Sequence, residues 1–194
     1  MRKAGSIGIV AAALMLTAAL PAQAADSKVV DVLAAIPQQN GLTVTVSRVV
    51  DGEWSEVDAV DFGTLAYDSI NKVFGSEAYY AVDVGVNSNA PDWTVTHEVS
   101  SIANDDGSDN LDDNVNVSFI KQVDDDTGDV MDLVTFAQSH QMAYTREQLL
   151  GGWLRIYYGI ATGDEAEDAP DAIPIDMDKP HGNYQGTITL ILTP

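Results

Sequence analysis

The sequence predicts an antiparallel all-β domain, a sandwich or barrel. Three observations predict it. Side chains alternate between apolar and polar at period two along most of the chain. The alternating runs are short and separated by turn chemistry. Helical periodicity is nearly absent.

The runs can be taken in order. Leu42 to Ser47 alternates apolar and hydroxyl side chains, as a half-buried strand does, and Asp51-Gly52 then supplies a turn. Val60 to Leu65 reads as a short strand with a close backbone approach at Gly63. Tyr79 to Val86 places Tyr80, Val82, Val84 and Val86 on one face. After a loop over Asn87 to Asp92, Trp93, Val95, His97 and Val99 share a face. Asn104 to Asn114 is an acidic loop, and Val115, Val117 and Phe119 form the inward face of the next strand. A second acidic loop runs from Asp124 to Asp129.

Val130 to His140 fits strand or helix equally well. Thr145 can cap a helical turn with Gln148 at the reciprocal position, so at most one short helix is expected, near 145–150. Trp153 to Ile160 is rich in aromatic and β-branched residues and reads as a strong strand. A long acidic loop follows, with a short edge strand expected around Ile173. Tyr184 to Thr193 closes the chain, with Ile188, Leu190 and Leu192 alternating against Thr187, Thr189 and Ile191. Trp93 and Trp153 are the expected core anchors.

The ends divide the chain into three parts. Residues 1–24 have the form of a signal peptide: Arg2 and Lys3, an apolar run from Ile7 to Leu20, and the small-x-small site Ala22-Gln23-Ala24. The expected mature chain starts at Ala25, is secreted or displayed at the cell surface, and has no membrane span after cleavage. Residues 25–40 form an N-terminal arm or edge strand in which Val30, Val32, Ala34 and Ile36 alternate. Residues 41–194 form the β-domain.

Charge and composition exclude several classes. The chain has 30 acidic residues and a formal charge of −21, which becomes −23 once Arg2 and Lys3 leave with the signal. Nucleic acid and anionic lipid would both be repelled. There is no cysteine, hence no disulfide, lipid-anchored cysteine or thiolate metal site.

Motifs that carry chemistry are sparse. Asp105, Asp106, Asp109 and Asp112 gather oxygen ligands around Gly107 and are candidate calcium ligands, although their spacing departs from the EF-hand loop. Asp124, Asp125, Asp126 and Asp129 are a second group. The alternative for both is a solvated acidic loop. Asp126-Thr127-Gly128 matches the aspartic-protease triplet by letters, but it has no second copy. His97, His140 and His181 are scattered singly. No nucleophile elbow, phosphate loop or dinucleotide fingerprint is present. A glycosidase is the enzyme class that so many acids leave open, because paired carboxylates have no local signature. The expectation is a protein that is not an enzyme and has no cofactor, with calcium as the one candidate ion.

Four segments carry a family resemblance: Phe62-Gly63, Asp92 to Thr96, Leu154 to Gly159, and Gly182 to Leu192. Together they resemble exported pilin-like β-sandwich subunits of the spore coat protein U-like kind. The resemblance implies an immunoglobulin-like sandwich and a structural subunit of a filament, pilus or coat. Such subunits lend an extended strand to a neighbour. Here that strand would be the arm, with Val30, Val32, Ala34 and Ile36 as assembly residues and self-association as the main partnership. Trp93-Thr94-Val95 and Tyr184 to Leu192 are also similar to the two motifs of the cell-wall-binding WxL domain. Val95 stands where its first leucine would be, and Leu190 where its second tryptophan would be. The alternative function is a monomeric secreted module that binds cell envelope or glycan, using whichever of Trp54, Tyr67 or Tyr157 is exposed.

Overall fold

A computed structural model describes residues 34–121, 128–149 and 153–194. Residues 37–194 form one compact unit, and Ala34 to Ile36 belong to a separate N-terminal one. The expected signal peptide, with Val30 and Val32 of the arm, lies outside the described residues, as do Asp124 to Thr127.

The domain is an antiparallel β-sandwich, and among the described residues there is no helix. Its strands are β1 (Asn40–Val50), β2 (Glu53–Val57), β3 (Ala66–Asp68), β4 (Val73–Gly75), β5 (Tyr79–Ser88), β6 (Thr94–Val99), β7 (Ala103–Asn104), β8 (Val115–Lys121), β9 (Asp129–Thr135), β10 (Met142–Thr145), β11 (Trp153–Ile160), β12 (Tyr184–Gln185) and β13 (Ile188–Thr193). A six-stranded sheet has the order β2-β1-β5-β11-β8-β9. A three-stranded sheet has the order β10-β6-β13. β12 with β7, and β3 with β4, make small ribbons.

The period-two pattern sets the layers. β5 and β11 pair with Val82 opposite Ile156 and Tyr80 opposite Tyr158, and β8 joins with Phe119 opposite Ile156. These inward residues are buried, as are Val84, Leu154, Val115 and Val117. Trp93 and Val95 bury against them from the smaller sheet. Each such side chain contributes roughly 1.5–3 kcal/mol by leaving water. Between β1 and β2, Asp51 (φ 51°) and Gly52 (φ 82°) are both left-handed, the conformation of a two-residue hairpin turn.

Three expectations are corrected. Trp153 is 52% exposed, whereas Trp93 is 4% exposed and buried as expected. Trp153 has the parity of Arg155 and Tyr157, so it lies on the outer face of the large sheet while Leu154 and Ile156 take the core. Val60 to Leu65 is irregular rather than a strand. The Asp61 carboxylate accepts the Gly63 N–H at 2.9 Å, and Gly63 is left-handed at φ 62°, which turns the chain out of extension. Gly63 has open space where a Cβ would be. The close approach falls at Gly186, where a Cβ would meet Ile102 Cγ1 at 2.9 Å and the Ser100 carbonyl at 3.1 Å. The edge strand near Ile173 is reduced to one bridge between Ile175 and Phe74.

The segment that fitted strand or helix is now assigned. β9 ends at Thr135, turns cover 136–141, and β10 follows. Thr145 and Gln148 do cap each other: the Thr145 N–H reaches Gln148 Oε1 at 2.9 Å and the Gln148 N–H reaches Thr145 Oγ1 at 3.4 Å. They frame one turn, closed by the Leu149 N–H on the Thr145 carbonyl at 3.1 Å, and Leu149 is buried.

His97 is the polar member of the core. Its Nδ1 lies 2.9 Å from the Ser139 carbonyl and its Nε2 2.7 Å from the Tyr158 hydroxyl. A carbonyl only accepts, so Nδ1 carries the proton and Nε2 accepts from the tyrosine. Phe119 stands edge-on to the ring at 5.2 Å. Burial pushes the His97 pKa down, the Ser139 hydrogen bond opposes this, and the charge of His140 adds to the lowering. The unfolded chain therefore takes up this proton at a higher pH than the folded one. Stability from His97 is complete above about pH 6.5 and is lost as pH falls through that value toward the folded pKa, by at most about 1.4 kcal/mol per pH unit. Urea titrations across this range should show the decline in the wild type. In His97→Gln the decline should be flatter, and stability at neutral pH should be lower by about 1–3 kcal/mol.

Candidate functional site

A groove of about 1240 Å³ lies at one end of the sandwich, between the segments 59–65 and 177–188. Its floor is apolar: Val115, Phe136, Tyr158 and Ile160 reach it from the core. It therefore opens directly onto the hydrophobic interior.

Each wall is fastened by a tyrosine. Phe62 stands edge-on to Tyr80 at 5.3 Å, and the Tyr80 hydroxyl donates to the Asp61 carbonyl, so both ends of this contact hold the 59–65 segment down. On the other side the Tyr184 hydroxyl donates to the Pro180 carbonyl at 2.7 Å and lies 3.2 Å from Asp109 Oδ2. A tyrosine hydroxyl returned to a backbone carbonyl four residues upstream is the bond of a corner tyrosine. Lys179 adds contacts of 2.6 Å to the Asn110 carbonyl and 3.4 Å to Asp109 Oδ1.

The acidic loop thus serves the groove. Burial raises the Asp109 carboxyl pKa, but the Asn110 N–H, the Lys179 ammonium and the Tyr184 hydroxyl outweigh it, and the net shift is downward. The Tyr184 hydroxyl is shifted up by burial and by the facing Asp109 charge. Asp106 is held low by the hydroxyl and N–H of Ser108, at 2.6 and 3.0 Å. Asp112 accepts the Ile102 N–H at 2.7 Å, and Asp105 is exposed. Asp106, Asp109 and Asp112 thus each turn to different donors around the loop. Among the described residues no three histidine, aspartate or glutamate side chains converge on a point.

The edge strand β13 starts beside the groove, at its lining residue Ile188. Among the described residues no strand pairs the outer edge of β13. β2 covers β1 only from Val46 to Val50, so among the described residues Asn40 to Thr45, away from the groove, has one open edge, and Val44 is 46% exposed despite its inward parity.

The chain enters the domain at the opposite end. Asn40 lies across from Ser88, whereas Val49, Tyr79, Ile160 and Val115 cluster at the far, groove end of the sheet. β1 spans the difference, 11 residues and roughly 35 Å. At the entry, Asn89 fixes the backbone: its Oδ1 accepts the Gln39 N–H at 2.8 Å, its Nδ2 donates to the Pro37 carbonyl at 2.9 Å, and its N–H reaches the Gln39 carbonyl at 3.2 Å. Ala34 and Ile36 are exposed and outside any strand. Composition marked Asn87 to Asp92 only as a loop and carried no sign of this clamp.

Compared with known proteins, the chain matches no family model and no curated sequence.

Tyr184→Phe removes one hydroxyl and its two oxygen contacts. It should cost about 1 kcal/mol and leave the fold intact. Hydrogen exchange should show faster exchange confined to residues 180–186 and the neighbouring Asn104 to Asp109 turn.

Proposed function

We propose that this protein is an exported, non-catalytic subunit of an extracellular filament, pilus or coat, with a pilin-like, immunoglobulin-like sandwich. Subunits join by β-strand addition: residues 25–36 of one copy fill the groove of the next and pair with an open strand edge beside it. The observation that carries the reading is the placement of two features at opposite ends. The chain enters β1 at Asn40, about the length of that strand away from a groove floored by core residues. An arm leaving one end and a receptor at the other favour a head-to-tail contact. Such contacts do not close, so they make fibres.

The arm has the chemistry for this role. Val30, Val32, Ala34 and Ile36 alternate in the sequence, a pattern that in an added strand would set apolar side chains against an apolar floor. Polymer assembly then buries a core surface and a strand edge in one step.

Electron microscopy of the mature protein should show regular fibres. Deleting residues 25–36 should leave a folded monomer, and Val32→Asp or Ile36→Asp should abolish fibres without unfolding the domain. A synthetic peptide of residues 25–36 should bind the truncated protein and raise its Tm, because a ligand held only by the folded state stabilises it. Fibres formed by the truncated protein would rule the arm out. A wild type that stays monomeric under all conditions would favour the envelope-binding module instead.

A further inference from the structure

The outer face of the six-stranded sheet turns away from the groove and takes no part in strand addition. It carries an aromatic and polar track, next to which Val49 and Ala81 are fully buried. Trp54 and Trp153 are 46% and 52% exposed, Tyr79 is exposed, and Tyr157 is half-buried between them.

The track is pre-formed. At its centre Arg155 and Asp83 face each other across β11 and β5 and make a two-pronged ion pair, Nε to Oδ1 at 2.5 Å and Nη2 to Oδ2 at 2.9 Å. The guanidinium lies 4.8 Å from the centre of the Trp54 ring, which fixes that indole. Tyr157 stands edge-on to Trp54 at 6.4 Å and to Tyr79 at 5.7 Å. At the other end the Trp153 ring lies over Gly85: its Cη2 and Cζ2 are both 3.8 Å from where a Cβ would sit. Trp54 and Tyr79 both pair with Val49, while Trp153 pairs with Gly85. The two ends are therefore six residues of β5 apart, roughly 20 Å. Between them stand the small hydroxyl side chains of Thr45 and Ser47, both half-buried.

We propose that this face binds a neutral, extended polysaccharide chain. Sugar rings offer flat C–H surfaces to indole and phenol faces, and adjacent hydroxyls match a planar charged fork. The fork uses two of the guanidinium's donors on Asp83 and leaves others for a ligand. Arg155 and Asp83 cancel each other's charge, and the formal charge of −21 disfavours an anionic chain. A protein partner would need an apolar centre sealed from water. The centre here is an ion pair bordered by hydroxyl side chains, which suits a hydrated ligand. Rings already held in place lose little freedom on binding. The site belongs to a single subunit, so it does not rest on filament assembly.

The test is titration of the mature protein with cellohexaose and with chitohexaose, followed by calorimetry and tryptophan fluorescence. At least one hexasaccharide should bind saturably and change the fluorescence. Trp153→Ala and Trp54→Ala should each weaken binding about tenfold or more while leaving the protein folded by circular dichroism at the titration temperature. Arg155→Lys keeps the charge but loses the fork and should weaken binding in the same direction. The proposal is overturned if neither sugar binds at millimolar concentration, or if the tryptophan variants bind as the wild type does. It is also overturned if those variants lose a protein partner while sugar binding is unchanged. Arm-deleted protein should bind equally well, so failure of the filament reading and failure of this one are told apart.

Discussion

β5 and β11 are locked in a single register at the middle of the large sheet, and the rest of the structure follows from that lock. Tyr80, Val82 and Val84 face the core from one strand, and Leu154, Ile156 and Tyr158 from the other. A slip of one residue would turn every side chain over, placing Asp83 and Arg155 in the interior and Ile156 in water. Burial of the inner set and pairing of the outer charges therefore select the same alignment. The register also assigns surfaces: whatever is not core on these strands becomes the outer face, and the first residues of β5 and last of β11 define the end where the groove opens.

Much of this was legible in the sequence because period two is a local property. β1, β5, β6, β8 and β13 were visible as alternating runs and β11 by its aromatic and β-branched content, and the inward sets of β5, β6 and β8 were the correct ones. Where the signal was chemical type rather than alternation, it misled. Trp153 looked like an anchor because large aromatics are usually core, yet its position among Leu154, Ile156 and Tyr158 already placed it on the opposite face. Gly63 and Gly186 looked alike as letters. One serves a left-handed turn and the other a contact with Ile102, a distinction that depends on residues far away in the chain.

The groove could not be read at all, since its floor is ordinary core and its walls are loops brought together by the fold. The acidic loop gave a partial signal. Its carboxylates were correctly noticed as a concentration of acceptors, but their donors are backbone N–H groups, Lys179 and Tyr184, and two of these lie about 70 residues further on. The same limit hid Asn89, whose partners precede it by some 50 residues. Contacts between irregular segments leave no periodic trace.

Four buried or half-buried tyrosine hydroxyls join elements that no strand pairing connects: Tyr80 to Asp61, Tyr144 to Asp132, Tyr158 to His97 and Tyr184 to Pro180. Disulfides are another way to make such cross-ties, and this chain has no cysteine. Phenolic cross-ties form without an oxidant and survive a reductant, so the folded state is indifferent to the redox poise around it. They also break one at a time and re-form without chemistry, which lets an individual loop at the rim open while the sheets stay shut.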